Sequence, residues 1–250
     1  MLDAGDNAPM PIEDRALRHL PFVQGVENAR LLALAAIATE RTIPPETVVT
    51  RPGTPANAVF IVLDGRLHGE IIGPGGRVLL LDRLGPGDVF GELAALDGGM
   101  RLREVRSVSP ARVAVIGVGD FNAWLDDTPA AARAMLGQIV ERVRVTSERL
   151  LEMTLLSVER RVRLWLVREL IAAGQMSDGG LLSALPPRRT IARELGTTRE
   201  AVSRALSQMA QDGLIDAGRR RIVVLDALAL DLGAESGGGD AMDGARPRRG

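Results

Sequence analysis

Residues 188–215, RRTIARELGTTREAVSRALSQMAQDGLI, constrain the fold of this chain more than any other stretch. Ile191 and Leu195 stand four residues apart, as neighbours on one helix face do. Gly196 follows where a helix ends in a left-handed turn. Thr197 or Thr198 can then cap a second helix by accepting from an amide of its first turn. The buried face of that helix reads Ala201, Val202, Ala205, Leu206 and Met209, a helical period. On its opposite, early face stand Arg199, Glu200, Ser203 and Arg204. The stretch therefore predicts a helix-turn-helix, because fork-shaped donors plus an acceptor near a helix start are what reading base edges in a DNA major groove needs. The alternative is an ordinary helical hairpin whose charges are merely solvated.

A chain of 250 residues, 46% of them hydrophobic, suits two modest cores rather than one. No apolar run approaches the ~18–20 residues needed to cross a bilayer. The opening MLDAGDNAPMPIEDR is acidic and lacks the basic-then-apolar order of a secretory signal, so a cytoplasmic location with no membrane partner is expected. Cysteine is absent, which excludes disulfides, thiol catalysis and cysteine-ligated iron–sulfur clusters. With only two histidines, His19 and His68, a multi-histidine metal site is not expected. No metal-ligand cluster or nucleophile–base pair is legible, and the chain does not read as an enzyme. Between Val158 and Leu225 there are 12 arginines against 7 carboxylates, while the whole chain carries a net charge of −1. A basic C-terminal segment on an acidic body suits a protein that presents one face to a polyanion.

The rest of the chain sorts into segments. After a Leu- and Ala-rich helix from Asn28 to Ala38, residues 46–118 carry short β-type runs (VVTR, AVFIVLDG, LHGEII, RVLLLDRL, ARVAVIGV) between Gly, Pro and Asp turns. This spacing predicts a small antiparallel β-barrel or jelly roll. From Pro129 to Ser157 the period becomes helical, and a heptad seam threads Leu136, Ile139, Val143, Thr146, Leu150, Met153 and Ser157. That seam fits either a parallel two-helix coil or a single helix lying on its own barrel. A further helix, Val158 to Ala173, leads to the helix-turn-helix, and GLIDAGRRRIVVLD then reads as strand, turn, strand: a wing with Gly218, Arg219 and Arg220 at its tip. The Gly-rich end predicts disorder. The expected organisation is α+β: a barrel domain over 1–127, a dimerisation helix over 128–157, a winged helix-turn-helix over 158–231 and a disordered tail over 232–250.

A β-barrel, a long helix and a winged helix-turn-helix in this order resemble the cyclic-AMP receptor protein and FNR superfamily of bacterial transcription regulators, from about Leu20 to Leu225. Within the barrel, GDVFGELAAL (Gly87 to Leu96) resembles that family's phosphate-binding cassette. There Gly91, Glu92 and Leu93 offer amides to an anion, and Gly91 permits close backbone approach. The resemblance implies that Glu92 holds a ribose hydroxyl and that Arg101 pairs with a cyclic phosphate. It also implies that Thr146 and Ser147 recognise adenine, with cAMP or another cyclic nucleotide as ligand. Leu102 and Arg103 depart from the family pattern, which has a serine and a small residue there. Members that bind nothing in the barrel keep much of this sequence as scaffold, so an effector-free regulator stays open.

The resemblance extends to the second helix of the helix-turn-helix. Glu200, Ser203 and Arg204 give the FNR-type pattern, and Arg199, Glu200 and Arg204 give the cyclic-AMP-receptor type. Both imply an inverted repeat with TTGA or GTGA in each half-site, read by Arg199, Glu200, Ser203 and Arg204. Arg188, Arg189, Thr198, Arg219 and Arg220 are the expected phosphate contacts. Double-stranded DNA, a second copy of the chain and RNA polymerase are the implied partners.

Overall fold

The computed structural model describes residues 10–12, 14–18, 20–218 and 220–235. It divides into two compact units, residues 1–146 and 147–250. In the first, the elements run β1 (Met10–Pro11), α1 (Asp14–Leu17), α2 (Asn28–Ile37), β2 (Ala38–Ile43), β3 (Val48–Thr50), β4 (Ala58–Asp64), β5 (Leu67–Ile72), β6 (Val78–Leu84), β7 (Val89–Phe90), α3 (Glu92–Leu96), β8 (Glu104–Ser107), β9 (Ala111–Gly117) and α4 (Val118–Asp126). The long helix α5 (Pro129–Leu155) follows, and the division between the units falls within it.

The strands form two antiparallel sheets, ordered β1-β2-β9-β4-β7 and β3-β8-β5-β6. No ladder among the described residues joins the two, so the expected barrel is an open jelly roll held by packing between its sheets rather than a closed one. Strand β4 shows why. Ala58, Phe60 and Val62 turn into the space between the sheets, where they meet Val49, Leu67, Phe90 and Val113. Val59 and Ile61 turn the other way and pack with Phe22, Leu34, Phe121 and Trp124 of a helical layer. A strand buried on both faces loses the alternation of a half-exposed one and reads as a continuous apolar run. Each fully buried Val, Ile or Phe side chain contributes about 1.5–3 kcal/mol, so β4 helps to hold both layers.

The second unit contains α6 (Val158–Ala172), β10 (Leu181–Leu182), α7 (Arg188–Glu194), α8 (Arg199–Gln211), β11 (Ile215–Ala217), β12 (Ile222–Val224) and α9 (Ala227–Glu235). Ser157 caps α6 by accepting from the Arg160 amide at 3.3 Å. Strands β11 and β12 pair antiparallel, as the wing predicts, and β10 adds a third strand on the far side of β12. Residues 232–235, expected to be part of a disordered tail, are helical. Helix α9 runs to Glu235 and buries Leu230 and Ala234 in the core of this unit. Asp226 starts it by accepting from the Ala229 amide at 2.8 Å. Residues 236–250 lie outside the described residues, as does Arg219 at the wing tip.

The apolar packing of α5 on its own unit comes from buried Ala131 and Met135 and half-buried Ile139. Elsewhere on the helix, Leu136, Val140, Val143, Leu150 and Leu151 are between 48% and 65% exposed. A helix spending that much apolar surface on solvent is not explained by the single-helix reading of the heptad seam.

Candidate functional site

Two places bring the predicted residues together. The first is the helix-turn-helix. Gly196 has φ +59°, the left-handed turn that ends α7. Of the two candidate caps, Thr198 takes the role and accepts from the Ala201 amide at 3.2 Å. Val202, Ala205, Leu206 and Met209 are buried against Val162, Leu166, Ile191 and Ile215, which fixes the roll of α8. Ala201 is half-buried. That roll leaves Arg199, Glu200 and Arg204 exposed and Ser203 half-exposed on the outer face.

The turn before α8 is held from beneath. The Arg161 guanidinium, 8% exposed, donates to the Leu195 carbonyl at 2.7 Å. The Trp165 indole donates to Glu194 at 3.2 Å. Neither support has a signal in the sequence, since nothing in the spacing of α6 marks Arg161 as buried. Of the other predicted contacts, Arg189 and Arg220 are exposed and Arg188 is half-buried at the start of α7. Thr198 is exposed while its hydroxyl caps the helix.

The second place is the cassette. Gly91, Glu92, Leu93 and Arg101 converge on a small cavity of about 30 Å³, together with Thr50, Ala94, Leu102, Arg103 and Val105. Gly91 precedes α3 with φ +81°, and a Cβ there would stand 2.2 Å from Arg101 Nη1. The close backbone approach expected of this glycine is thus used by Arg101 itself, which donates to the Gly91 carbonyl at 2.8 Å and to the Ala58 carbonyl. Its guanidinium carbon lies 5.7 Å from the centre of the Phe60 ring. Burial pulls Arg101 below the ordinary guanidinium value, and attraction from Glu92 opposes this.

Glu92 is buried and its Oε1 accepts from Arg142 of α5. Arg142 also donates to the Val89 carbonyl at 3.2 Å and lies 3.8 Å from Asp82. Asp82 in turn pairs with Arg103 at 2.9 Å. Gly69 makes room for that pair, since a Cβ on it would meet Arg103 Nε at 2.7 Å and Asp82 Oδ2 at 2.8 Å. The bulk that Arg103 brings to this loop is therefore absorbed by an ion pair beside a glycine. Leu102, the other departure, lies at the cavity's edge and is 67% exposed. Thr146 and Ser147 are exposed on α5 and are not among the residues lining the cavity. Asp82 and Arg142 carry no cassette motif, so sequence spacing offered no signal for them.

Among the described residues no group of three or more His, Asp or Glu side chains could hold a metal ion, and no helix is long and apolar enough to cross a membrane.

The arrangement is matched twice among known proteins. Residues 40–128 match the cyclic nucleotide-binding domain and residues 148–231 the Crp-like helix-turn-helix domain. The chain is 27% identical over 218 residues to the CRP-like cAMP-activated global transcriptional regulator of Mycobacterium tuberculosis, covering 87% of this chain and 97% of that one. It is 28% identical over 211 residues to the cyclic AMP receptor protein of Thermus thermophilus, covering 84% and 95%. Among solved structures, the c-di-GMP-responsive global regulator CLP of Xanthomonas campestris superposes with a TM-score of 0.67 at 25% identity, covering 80% and 99%.

Fold and sites together define a transcription regulator that joins a cyclic nucleotide-binding domain to a DNA-binding helix-turn-helix. The chain belongs to the cyclic-AMP receptor protein and FNR family.

Proposed function

We propose that this chain is a homodimeric, cytoplasmic, non-enzymatic regulator that reads an inverted repeat with a TTGA- or GTGA-like half-site and engages RNA polymerase. The observation that carries the reading is the face of α8, where Arg199, Glu200 and Arg204 stand exposed over a buried Val202–Leu206–Met209 seam. On this reading Arg204 donates to a guanine and Glu200 accepts from a base amino group. Ser203 meets a neighbouring thymine, and Arg199 meets a further guanine or a phosphate. Arg188, Arg189, Thr198, Arg219 and Arg220 hold the backbone. The exposed apolar run on α5 supports pairing with a second copy, which would place two reading helices on two half-sites.

In the barrel unit, Gly91, Glu92, Leu93 and Arg101 would take a cyclic nucleotide, with Thr146 and Ser147 meeting its base. The named relatives include cAMP-activated regulators and a c-di-GMP-responsive one. A second reading, an effector-independent regulator, is favoured by the Arg142–Glu92 and Arg103–Asp82 pairs, which engage cassette charges within the chain itself.

One titration tests both readings: purified protein against a duplex bearing the inverted repeat, at fixed salt, with and without cAMP. Binding that is tight only with nucleotide supports effector control, and equally tight binding in both supports the second reading. Binding no tighter than to random duplex refutes the regulator assignment.

A further inference from the structure

A larger cavity than the cassette, of about 380 Å³, opens between the two sheets of the jelly roll. Its walls are apolar at Val49, Pro55, Ala58, Phe60 and Val115. Three guanidiniums, those of Arg41, Arg51 and Arg101, line it, and no carboxylate does. Thr50, Thr54 and Asn57 add short polar groups. Arg41 enters this space because β2 pairs with β9 in a register that sets Ile43 opposite Ala111 and Arg41 opposite Val113. Ile43, Ala111 and Val113 all belong to the core between the sheets, so Arg41 extends the same inward column. Its Nε is buried there and has no hydrogen-bond partner. A buried guanidinium nitrogen left unsatisfied is costly, which calls for an acceptor.

We infer that this cavity binds a small amphipathic carboxylate, its apolar body against Phe60 and Val115 and its carboxylate between Arg41 and Arg51. A compact apolar space with a few convergent polar groups is the usual build of a small-molecule site. The planar fork of arginine matches a carboxylate in two-point geometry. The site is separate from the cassette, and Arg101 is the partition: its guanidinium is tied to the Gly91 and Ala58 carbonyls and lies over Phe60. The rim is tied to the same residue. The Gly53 amide donates to the Arg101 carbonyl and the Arg101 amide to the Thr54 carbonyl, each at 2.8 Å, while the Thr54 hydroxyl holds the Arg51 carbonyl at 2.7 Å. A carboxylate seated against this loop therefore bears on the arginine that also lines the cassette.

The test is a calorimetric titration of the full chain with benzoate, at fixed ionic strength, beside benzamide as an uncharged probe of the same shape. Saturable benzoate binding is expected, at least tenfold tighter than benzamide. It should weaken at least tenfold in both Arg41→Leu and Arg51→Ala. Arg51 is exposed, so its variant keeps the test valid if Arg41→Leu fails to fold, as thermal melts will show. Amide shifts on adding benzoate should centre on Thr54 and Val115. Absence of saturable binding, equal binding of benzamide, an unchanged affinity in the folded arginine variants, or shifts centred on Gly91 to Leu93 would each overturn the inference.

Discussion

Arg142, half-way along α5, donates through Nη1 to the buried carboxylate of Glu92 at the first position of α3. The pair ties the long helix to the cassette of the same unit. Its second carboxylate oxygen is also buried and has no hydrogen-bond partner.

Removing one member of a buried ion pair leaves a stranded charge, which costs roughly 3–5 kcal/mol when both groups are fully buried. The Arg142 side chain is 23% exposed. Water reduces the penalty, so Arg142→Met is expected to lose about 2 kcal/mol in urea unfolding. The double variant Glu92→Gln, Arg142→Met should regain most of that loss. A single variant as stable as the wild type would show that the pair contributes nothing.

Gly91→Ala strains the backbone and crowds Arg101 together. A non-glycine residue held near φ +81° costs about 1–3 kcal/mol, before any displacement of the guanidinium 2.2 Å from the new Cβ. Thermal unfolding should register the loss, and Leu102→Ala, at an exposed position, should not.

Thr198→Ala removes the cap of α8 and should cost about 1 kcal/mol of stability, with Thr198→Asn close to neutral. Equal melting of all three proteins would mean that the first turn of α8 does not depend on its cap.

On the cognate duplex, Glu200→Ala or Arg204→Ala should weaken binding by roughly 1–3 kcal/mol and leave random-duplex affinity nearly unchanged. Fluorescence anisotropy at one salt concentration reads both. If the two duplexes lose affinity alike, these residues serve the phosphate backbone and not the bases.

Leu150→Glu places a charge where the side chain is 65% exposed in the single chain. The fold should be unaffected, and helix content by circular dichroism should hold. Sedimentation velocity should shift from dimer to monomer. A dimer that persists would move the association surface off this part of α5.

Much of this was legible in sequence because its signals are local. Gly196, the two threonines after it and the 3.6-residue apolar period mark α7 and α8 without reference to the rest of the chain, although they leave open which threonine is the cap. The two-sided burial of β4 left an apolar run that reads directly as strand. The misses have physical reasons too. Strand β8, Glu104–Ser107, carries two charged residues, and buried Glu104 is accommodated by two hydrogen bonds from Arg106. Strand β2 follows α2 with no turn residue between them, so no punctuation marks its start. Helix α9 did leave a trace, an Asp226 cap before ALALDL, which the glycines beyond it masked. The cassette charges were readable as a motif, whereas Asp82 and Arg142 reach it only through the three-dimensional path of β6 and α5.

Helix α9 sets where the second unit can be cut. Arg160, in the first turn of α6, sends Nε and Nη2 to the Ala234 carbonyl at 3.1 and 3.0 Å. Ala234 itself is 3% exposed. The matched helix-turn-helix region ends at residue 231. A fragment trimmed to that border would lose both the buried Ala234 and the acceptor for Arg160, so the packing of the second unit extends through helix α9.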